Sequence, residues 1–164
     1  MNRIKKLKIE NYKKKLLERY KSIGVNSVSH IQERTNDIEF CKSAHNKVEG
    51  RYFRCGIFDF DKNSYIYEQA ITDKTNDLIL INLFHFNDCD KLTFVAEYGE
   101  EQFLACCDAS KFIERYPFIE GISNQPMLFS NDHSVLLSLM RLEYEIEFCL
   151  LYTSPSPRDS YISR

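Results

Sequence analysis

The 164-residue sequence contains no tryptophan, four prolines and five glycines, and the glycines are dispersed at positions 24, 50, 56, 99 and 121. Glycines this far apart cannot form the phosphate-binding loop of a P-loop nucleotidase or the G-x-G-x-x-G turn of a dinucleotide-binding domain. The G-x-S-x-G sequence around the nucleophile of an α/β-hydrolase is missing as well. These three common enzyme classes are therefore excluded.

The sequence also lacks a long hydrophobic run. No segment approaches the roughly 18 consecutive apolar residues that indicate a membrane span. The start, MNRIKKLKIENYKKK, has basic residues but lacks the apolar segment of a signal peptide. With 43% apolar and 28% charged residues, the composition is typical of a single globular domain. We therefore expect a cytoplasmic protein that binds no membrane.

The cysteines do not follow the regular, paired spacing of a secreted disulfide framework. Before residue 149 they form an odd-numbered set: Cys41, Cys55, Cys89, Cys106 and Cys107. We expect reduced thiols with mostly structural roles.

Charge is distributed unevenly along the chain. Residues 1–23 carry nine Lys or Arg against two Glu, whereas residues 24–148 carry 11 Lys or Arg against 21 Asp or Glu. A basic segment thus precedes an acidic body.

The basic segment has the apolar spacing of a helix. Ile9, Tyr12, Leu16 and Tyr20 recur every three or four residues, which predicts an amphipathic helix over residues 2–23 that Gly24 stops. Its lysines could neutralise the phosphates of a nucleic acid or another acidic surface. They are Lys5, Lys6, Lys8, Lys13, Lys14, Lys15 and Lys21. The alternative is an ordinary solvated helix face docked on the acidic body.

Two β-hairpins are predicted in the middle of the chain. Residues 51–60 and 65–72 are rich in Tyr, Phe and Ile and flank the turn sequence DKNS. The apolar run at residues 78–86, LILINLFHF, and residues 91–98 flank NDCD in the same way. With residues 102–107, these runs predict a meander of five successive antiparallel strands.

The remaining segments predict short helices and one further strand. Residues 37–45 can form a helix, and Asp108 can cap another over residues 109–116. Apolar and acidic residues alternate over residues 141–148, as in a half-buried strand. Residues 135–139 can extend that strand or form a helix that begins at Asp132 or Ser134. The predicted fold is α+β, with an N-terminal amphipathic helix and short helices packed on a mainly antiparallel sheet of five or six strands.

The end of the chain resembles a sequencing artefact. Residues 149–159, CLLYTSPSPRD, resemble the conceptual translation of a transposase sequencing-library adapter. The resemblance implies that the native reading frame was cut near Phe148. We therefore expect a single domain over residues 1–148, followed by a non-native tail over residues 149–164 that contributes no essential core. A genuine Ser/Pro-rich disordered tail is the alternative.

The densest acidic group surrounds the first predicted hairpin turn. Asp59-Phe-Asp61 resembles the first motif of haloacid dehalogenase-type phosphatases, which implies a nucleophilic first carboxylate, an acid/base second carboxylate and magnesium. Asn63 stands where that family usually has Thr or Val, and its later motifs are not recognisable. The same residues partly resemble a calcium loop, but Ala70 stands where a bidentate Glu should close it. We interpret Asp59 and Asp61 as carboxylates that serve the turn.

Two Cys and His pairs have a chemistry suited to tetrahedral zinc. Cys41 and His45 would share one face of a helix, and His85 and Cys89 could approach each other across a hairpin turn. Their spacing matches no recognised zinc finger, and each residue could equally be a packed thiol or a surface imidazole.

The function predicted from these observations is that of a non-catalytic binding or regulatory accessory protein. Its partner is unknown and could be a protein or a nucleic acid contacted by the basic helix, and no cofactor is expected. The alternative is a metal-dependent phosphatase or nuclease centred on Asp59 and Asp61, with Glu68 as an auxiliary ligand.

Overall fold

Seven strands form one antiparallel sheet in the computed structural model, which describes residues 2–47, 52–54, 64–141 and 145–152. Within these ranges, the side chains of residues 45–47, 52–54, 64–68, 70, 145 and 152 are not described. Helices pack on both faces of the sheet, and the chain begins with a helix. The predicted α+β class is therefore confirmed.

The described elements include four α-helices and three short 3-10 helices. The α-helices are α1 (Arg3–Arg19), α2 (Thr35–Lys47), α3 (Ser64–Asn82) and α4 (Ala109–Arg115). The 3-10 helices are Lys21–Ile23, Ile31–Arg34 and Leu83–Phe86. The strands are β1 (Ser27–His30), β2 (Tyr52–Arg54), β3 (Lys91–Tyr98), β4 (Glu101–Asp108), β5 (Met127–Ser130), β6 (Val135–Arg141) and β7 (Glu145–Tyr152).

The strands lie in the order β1-β4-β3-β5-β6-β7-β2. β3 and β4 form a hairpin that pairs Lys91 with Asp108 at one end and Tyr98 with Glu101 at the other. β5 lies on the other side of β3. Because β3 has a neighbour on each side and helices above and below, its residues 92–96 are all buried.

The sheet has a buried cluster on each face. The α1 face packs against α1, α3 and α4, and its core includes Leu16, Ile79, Phe94 and Phe112. The opposite α2 face packs against α2 and has a smaller cluster: Cys41, Ala44, Val95, Leu104, Phe129, Leu136 and Cys149. Side chains alternate between the faces along each strand.

Helix α1 follows its predicted course. The Asn2 side chain caps it by accepting a hydrogen bond from the backbone N–H of Lys5 at 2.8 Å. After the 3-10 turn, Gly24 adopts the left-handed conformation with φ of 78°. The predicted helix over residues 37–45 is also confirmed, as part of α2.

The strands predicted over residues 65–72 and 78–86 are wrong, and so is the five-strand meander. Ser64–Asn82 form α3 and Leu83–Phe86 form a 3-10 helix. The buried residues recur at helical intervals: Ile71, Thr75, Leu78, Ile79, Leu83 and Phe86. Leu80, Ile81 and Phe84 are exposed and also apolar, so the period is hidden in the sequence. β2 lies within the predicted first strand, whereas residues 55–63 lie outside the described residues.

Three smaller expectations also need correction. No helix begins at Asp132 or Ser134, because residues 131–134 form the turn between β5 and β6. Asp108 stands at the N-cap of α4 but makes no capping bond, since its carboxylate pairs with Lys91 and Lys111. The strand predicted over residues 141–148 covers parts of two strands, since β6 ends at Arg141 and β7 begins at Glu145 and pairs antiparallel with β6.

The C-terminal boundary also differs from the expected one. β7 continues past Phe148 to Tyr152, and Cys149 is fully buried. The exclusion of residues 149–152 from the fold, and of Cys149 from the core, is therefore wrong. Residues 153–164 lie outside the described residues, and the adapter origin of the tail stays a prediction.

Candidate functional site

Helix α1 is docked on the α1 face by its apolar stripe. Ile9, Leu16 and Tyr20 are buried, and the hydroxyl of Tyr20 donates a hydrogen bond to the carbonyl oxygen of Glu120. The ring of Tyr12 lies 4.7 Å from that of Tyr98 on β3. This docking fixes which lysines face the protein and which face outward.

Two of the seven predicted lysines are engaged with carboxylates of the chain. Lys13 Nζ lies 2.7 Å from Glu33 Oε1 and 3.1 Å from Glu10 Oε1. Burial opposes the charged form, but the hydrogen bonds to Glu33 and Glu10 outweigh it and raise the pKa of Lys13. Lys5 Nζ lies 3.7 Å from Glu101 Oε1. These two lysines therefore hold α1 to the body of the protein.

Two further lysines lie beside tyrosine rings on one flank of α1. Lys8 Nζ is 5.7 Å from the ring centre of Tyr12, and Lys15 Nζ is 5.9 Å from that of Tyr98. Contacts of this kind at exposed sites contribute about 0.5–1 kcal/mol. They orient both side chains and leave their charge uncancelled.

The remaining lysines are exposed. Lys6, Lys14 and Lys21 make no ion pair within the described part of the chain. Lys6 and Lys14 are eight residues apart, and Lys8 and Lys15 are seven apart, so each pair spans about 10–12 Å along the helix axis. We call Lys6, Lys8, Lys14 and Lys15 the lysine surface. It presents positive charge along both flanks of the outward side of α1.

The proposed magnesium ligands cannot be brought together from the described residues. Asp59 and Asp61 lie outside them, and Glu68 lies in α3 rather than on a return strand, with its side chain not described. No three His, Cys, Asp or Glu side chains form a metal-binding group among the residues that the structure describes. The hydrolase alternative thus stays a prediction.

The proposed zinc ligands lie in different surroundings. Cys41 belongs to the cluster of the α2 face, whereas Cys89 packs against the cluster of the α1 face. Burial raises the pKa of Cys41 to about 12, which disfavours the thiolate that zinc requires. His45 lies on α2 with Cys41, as expected, but its side chain is not described. His85 lies in a 3-10 helix and not in a hairpin, so that part of the prediction is wrong.

No pattern in the sequence indicates a buried histidine at the start of the Ile31–Arg34 helix. His30 is 3% exposed, and its Nε2 lies 2.8 Å from Glu101 Oε2. Its Nδ1 accepts a hydrogen bond from the backbone N–H of Gln32, so Nε2 carries the proton and donates to Glu101. This hydrogen bond holds the pKa of Glu101 below its usual value.

A second histidine links α2 to the turn between β5 and β6. His133 Nε2 lies 2.7 Å from Asp37 Oδ1, and its ring stacks on Phe40 at 4.2 Å between centres. Its φ of 60° is unusual for a residue with a side chain. Neither His30 nor His133 bonds to a Ser, Thr or Cys within the described residues, so neither histidine forms a nucleophile and base pair there.

Comparison of the chain with protein-family models, curated proteins and solved structures gave no match. A functional proposal must therefore come from the geometry of the chain itself.

Proposed function

We propose that the chain is a non-catalytic binding or regulatory accessory protein whose lysine surface contacts nucleic acid. The supporting observation is that Lys6 and Lys14 are exposed on a firmly docked helix, without a carboxylate partner among the described residues. Phosphates of a nucleic acid backbone are the anions that such a surface attracts without requiring a specific sequence.

The different contacts of the lysines within α1 also support the proposal. Lys5 and Lys13 pair with Glu101 and Glu33, whereas Lys8 and Lys15 rest beside tyrosines. The helix therefore needs only part of its positive charge to dock. The remaining positive charge lies on the outward side of the helix. A polyanion that binds there releases its counterions, which favours binding.

The proposal includes a reducing, cytoplasmic location. Cys41, Cys89, Cys106 and Cys107 are free thiols. Free buried thiols are typical of proteins from reducing compartments. In addition, the helices of the described ranges include none that is long and apolar enough to cross a membrane.

A salt titration tests the proposal. Binding of a short fluorescein-labelled duplex DNA is followed by fluorescence anisotropy between about 50 and 200 mM salt. The double variant Lys6→Glu/Lys14→Glu should bind at least about tenfold more weakly, and its slope of log K against log salt should fall by about 2.

A matched control separates local contacts from net charge. Lys42 and Arg115 are also exposed but lie on α2 and α4. The variant Lys42→Glu/Arg115→Glu has the same net charge as the test variant and should keep most of the affinity. Equal loss in both variants, or no salt-dependent binding by the parent protein, would contradict the proposal.

A further inference from the structure

A cleft of about 180 Å³ lies between α3, the connection from α4 to β5, and the end of β6. Thr72, Thr75 and Asn76 line it from α3, where spacings of three and four residues place side chains on one side of a helix. Tyr116 and Arg141 line it from the other two segments. The cleft is thus built from three parts of the chain, and none of the lysines of α1 lines it.

The hydroxyl of Thr75 is the most informative group in the cleft. The residue is 4% exposed, and its Oγ1 has no hydrogen-bond partner in the described structure. Most buried polar groups in folded proteins have a partner, and leaving one unpaired is unfavourable. Because Thr75 lines the cleft, a ligand bound there can supply that partner.

The amide of Asn76 is oriented by a second hydrogen bond. The hydroxyl of Tyr116 donates to Asn76 Oδ1 at 2.7 Å. Burial raises the pKa of Tyr116 to about 12, so this hydroxyl stays protonated at neutral pH. Because the side-chain oxygen of Asn76 accepts the hydrogen bond from Tyr116, its NH₂ group is the donor that can bind a ligand.

Arg141 supplies the charge. Its Nη2 donates to Thr72 Oγ1 at 3.2 Å. A guanidinium has five N–H donors, so it can hold Thr72 and other partners while it also binds an anion. Among the described residues that line the cleft, Arg141 is the cation and none carries a carboxylate.

We propose that this cleft binds a small organic monocarboxylate. The carboxylate would accept hydrogen bonds from Arg141, Asn76 and Thr75, since guanidinium and amide groups match its planar pair of oxygens. One cation suits a single negative charge better than the two charges of phosphate. The aliphatic part of the ligand would lie against apolar residues of the connection, Pro117, Ile119 and Ile122.

The test uses the full chain and ¹H–¹⁵N NMR spectra, with sodium butyrate as the probe. Butyrate should cause saturable shifts of the Thr75, Asn76 and Gly121 amides with a Kd of about 1 mM or tighter. Butyramide has the same size but no charge and should cause no saturable shifts. No saturation by butyrate, or equal binding of the two compounds, would overturn the proposal. Tighter binding of inorganic phosphate would also overturn it.

Two nearly isosteric variants test whether the side chains of Asn76 and Thr75 contribute to butyrate binding. Asn76→Asp keeps the acceptor for Tyr116 but adds a negative charge, so butyrate binding should weaken at least about tenfold. Thr75→Val replaces the hydroxyl by a methyl group of similar size and should weaken binding about threefold or more. The dispersion of each spectrum shows whether the variant is folded. Unchanged affinity in either folded variant would refute the assignment.

The proposals for the cleft and for the lysine surface can be tested independently of each other. The Lys6→Glu/Lys14→Glu variant should bind butyrate like the parent chain, because neither residue lines the cleft. Conversely, Thr75→Val should leave DNA binding unchanged.

Discussion

The two faces of the sheet hold their helices in different ways. On the α1 face, three helices share a large apolar core in which Phe94 packs against Tyr20 and Phe112, each at 5.2 Å between ring centres. On the α2 face, α2 covers a small cluster and is also fixed by polar contacts from Asp37.

The difference follows from the amount of apolar surface that each face buries. Burial stabilises in proportion to the apolar area removed from water, so the helices of the larger α1 face depend less on polar contacts such as Lys5–Glu101 and Lys13–Glu33. The apolar side of α2 is shorter, so its burial contributes less to stability. Its orientation then depends more on Asp37, which bonds to both Arg34 and His133. The α1 face can therefore leave lysines on α1 free for another role.

The end of β7 should give the largest effect, because it serves both faces. A chain that ends at Phe148 loses Cys149, which is buried in the α2 cluster, and Leu150, which packs against the α1 cluster. It also loses the pairing of residues 149–152 with residues 135–138 of β6. We expect a loss of about 5 kcal/mol from burial and hydrogen bonding, measured by urea denaturation.

A chain that ends at Tyr152 is the control for this truncation. It removes only residues 153–164, for which the sequence predicts no contribution to the core. Its unfolding midpoint should stay close to that of the full chain. If the chain that ends at Phe148 is equally stable, the end of β7 adds nothing to either face.

Adjacent residues of β6 allow a direct comparison of the two faces. Leu136 and Leu137 are both fully buried, but Leu136 belongs to the α2 cluster and Leu137 to the α1 cluster. We expect Leu137→Ala to cost about 4 kcal/mol and Leu136→Ala about 3 kcal/mol. The smaller cost reflects the cover of the α2 face, where α2 is the helix that the described residues provide and can relax into the cavity more easily than α1, α3 and α4 together.

Denaturant unfolding of the two variants, measured under identical conditions, gives this difference. A cost for Leu136→Ala equal to or above that for Leu137→Ala would show that the α2 face is packed as rigidly as the α1 face. The contrast between the faces would then lie in their size alone.

The sequence predicted α1 and failed for α3, and the reason is physical. In α1, lysines separate the apolar stripe from its surroundings, so the helical period is visible. In α3 and the following turn, Leu80, Ile81 and Phe84 are apolar and yet exposed, at 44%, 65% and 59%. A run that is apolar on all sides fits a central strand as well as a helix, and only packing against the sheet decides between them.

The candidate sites differ in the same way. The lysines of α1 are close in sequence, so their charge was visible before the fold was known. The cleft combines Thr75, Tyr116 and Arg141, which are distant in sequence and meet only in the folded chain. Likewise, no local pattern places His133 beside Asp37, because that contact joins α2 to a turn 96 residues later.

The smallest effect should come from the polar contact that fixes α2, and it should depend on pH. Hydrogen bonds from Arg34 and His133 outweigh the effect of burial and hold the pKa of Asp37 below its ordinary value of 3.8. A carboxylate with a lowered pKa stabilises the fold fully above about pH 4 and loses this contribution as the pH falls through its folded pKa. Asp37→Asn should therefore cost about 1–2 kcal/mol at pH 7, and the cost should shrink toward pH 2. Urea unfolding of both proteins at several pH values measures this convergence. A cost that stays constant with pH would mean that the charge of Asp37 does not help to hold α2 on the sheet.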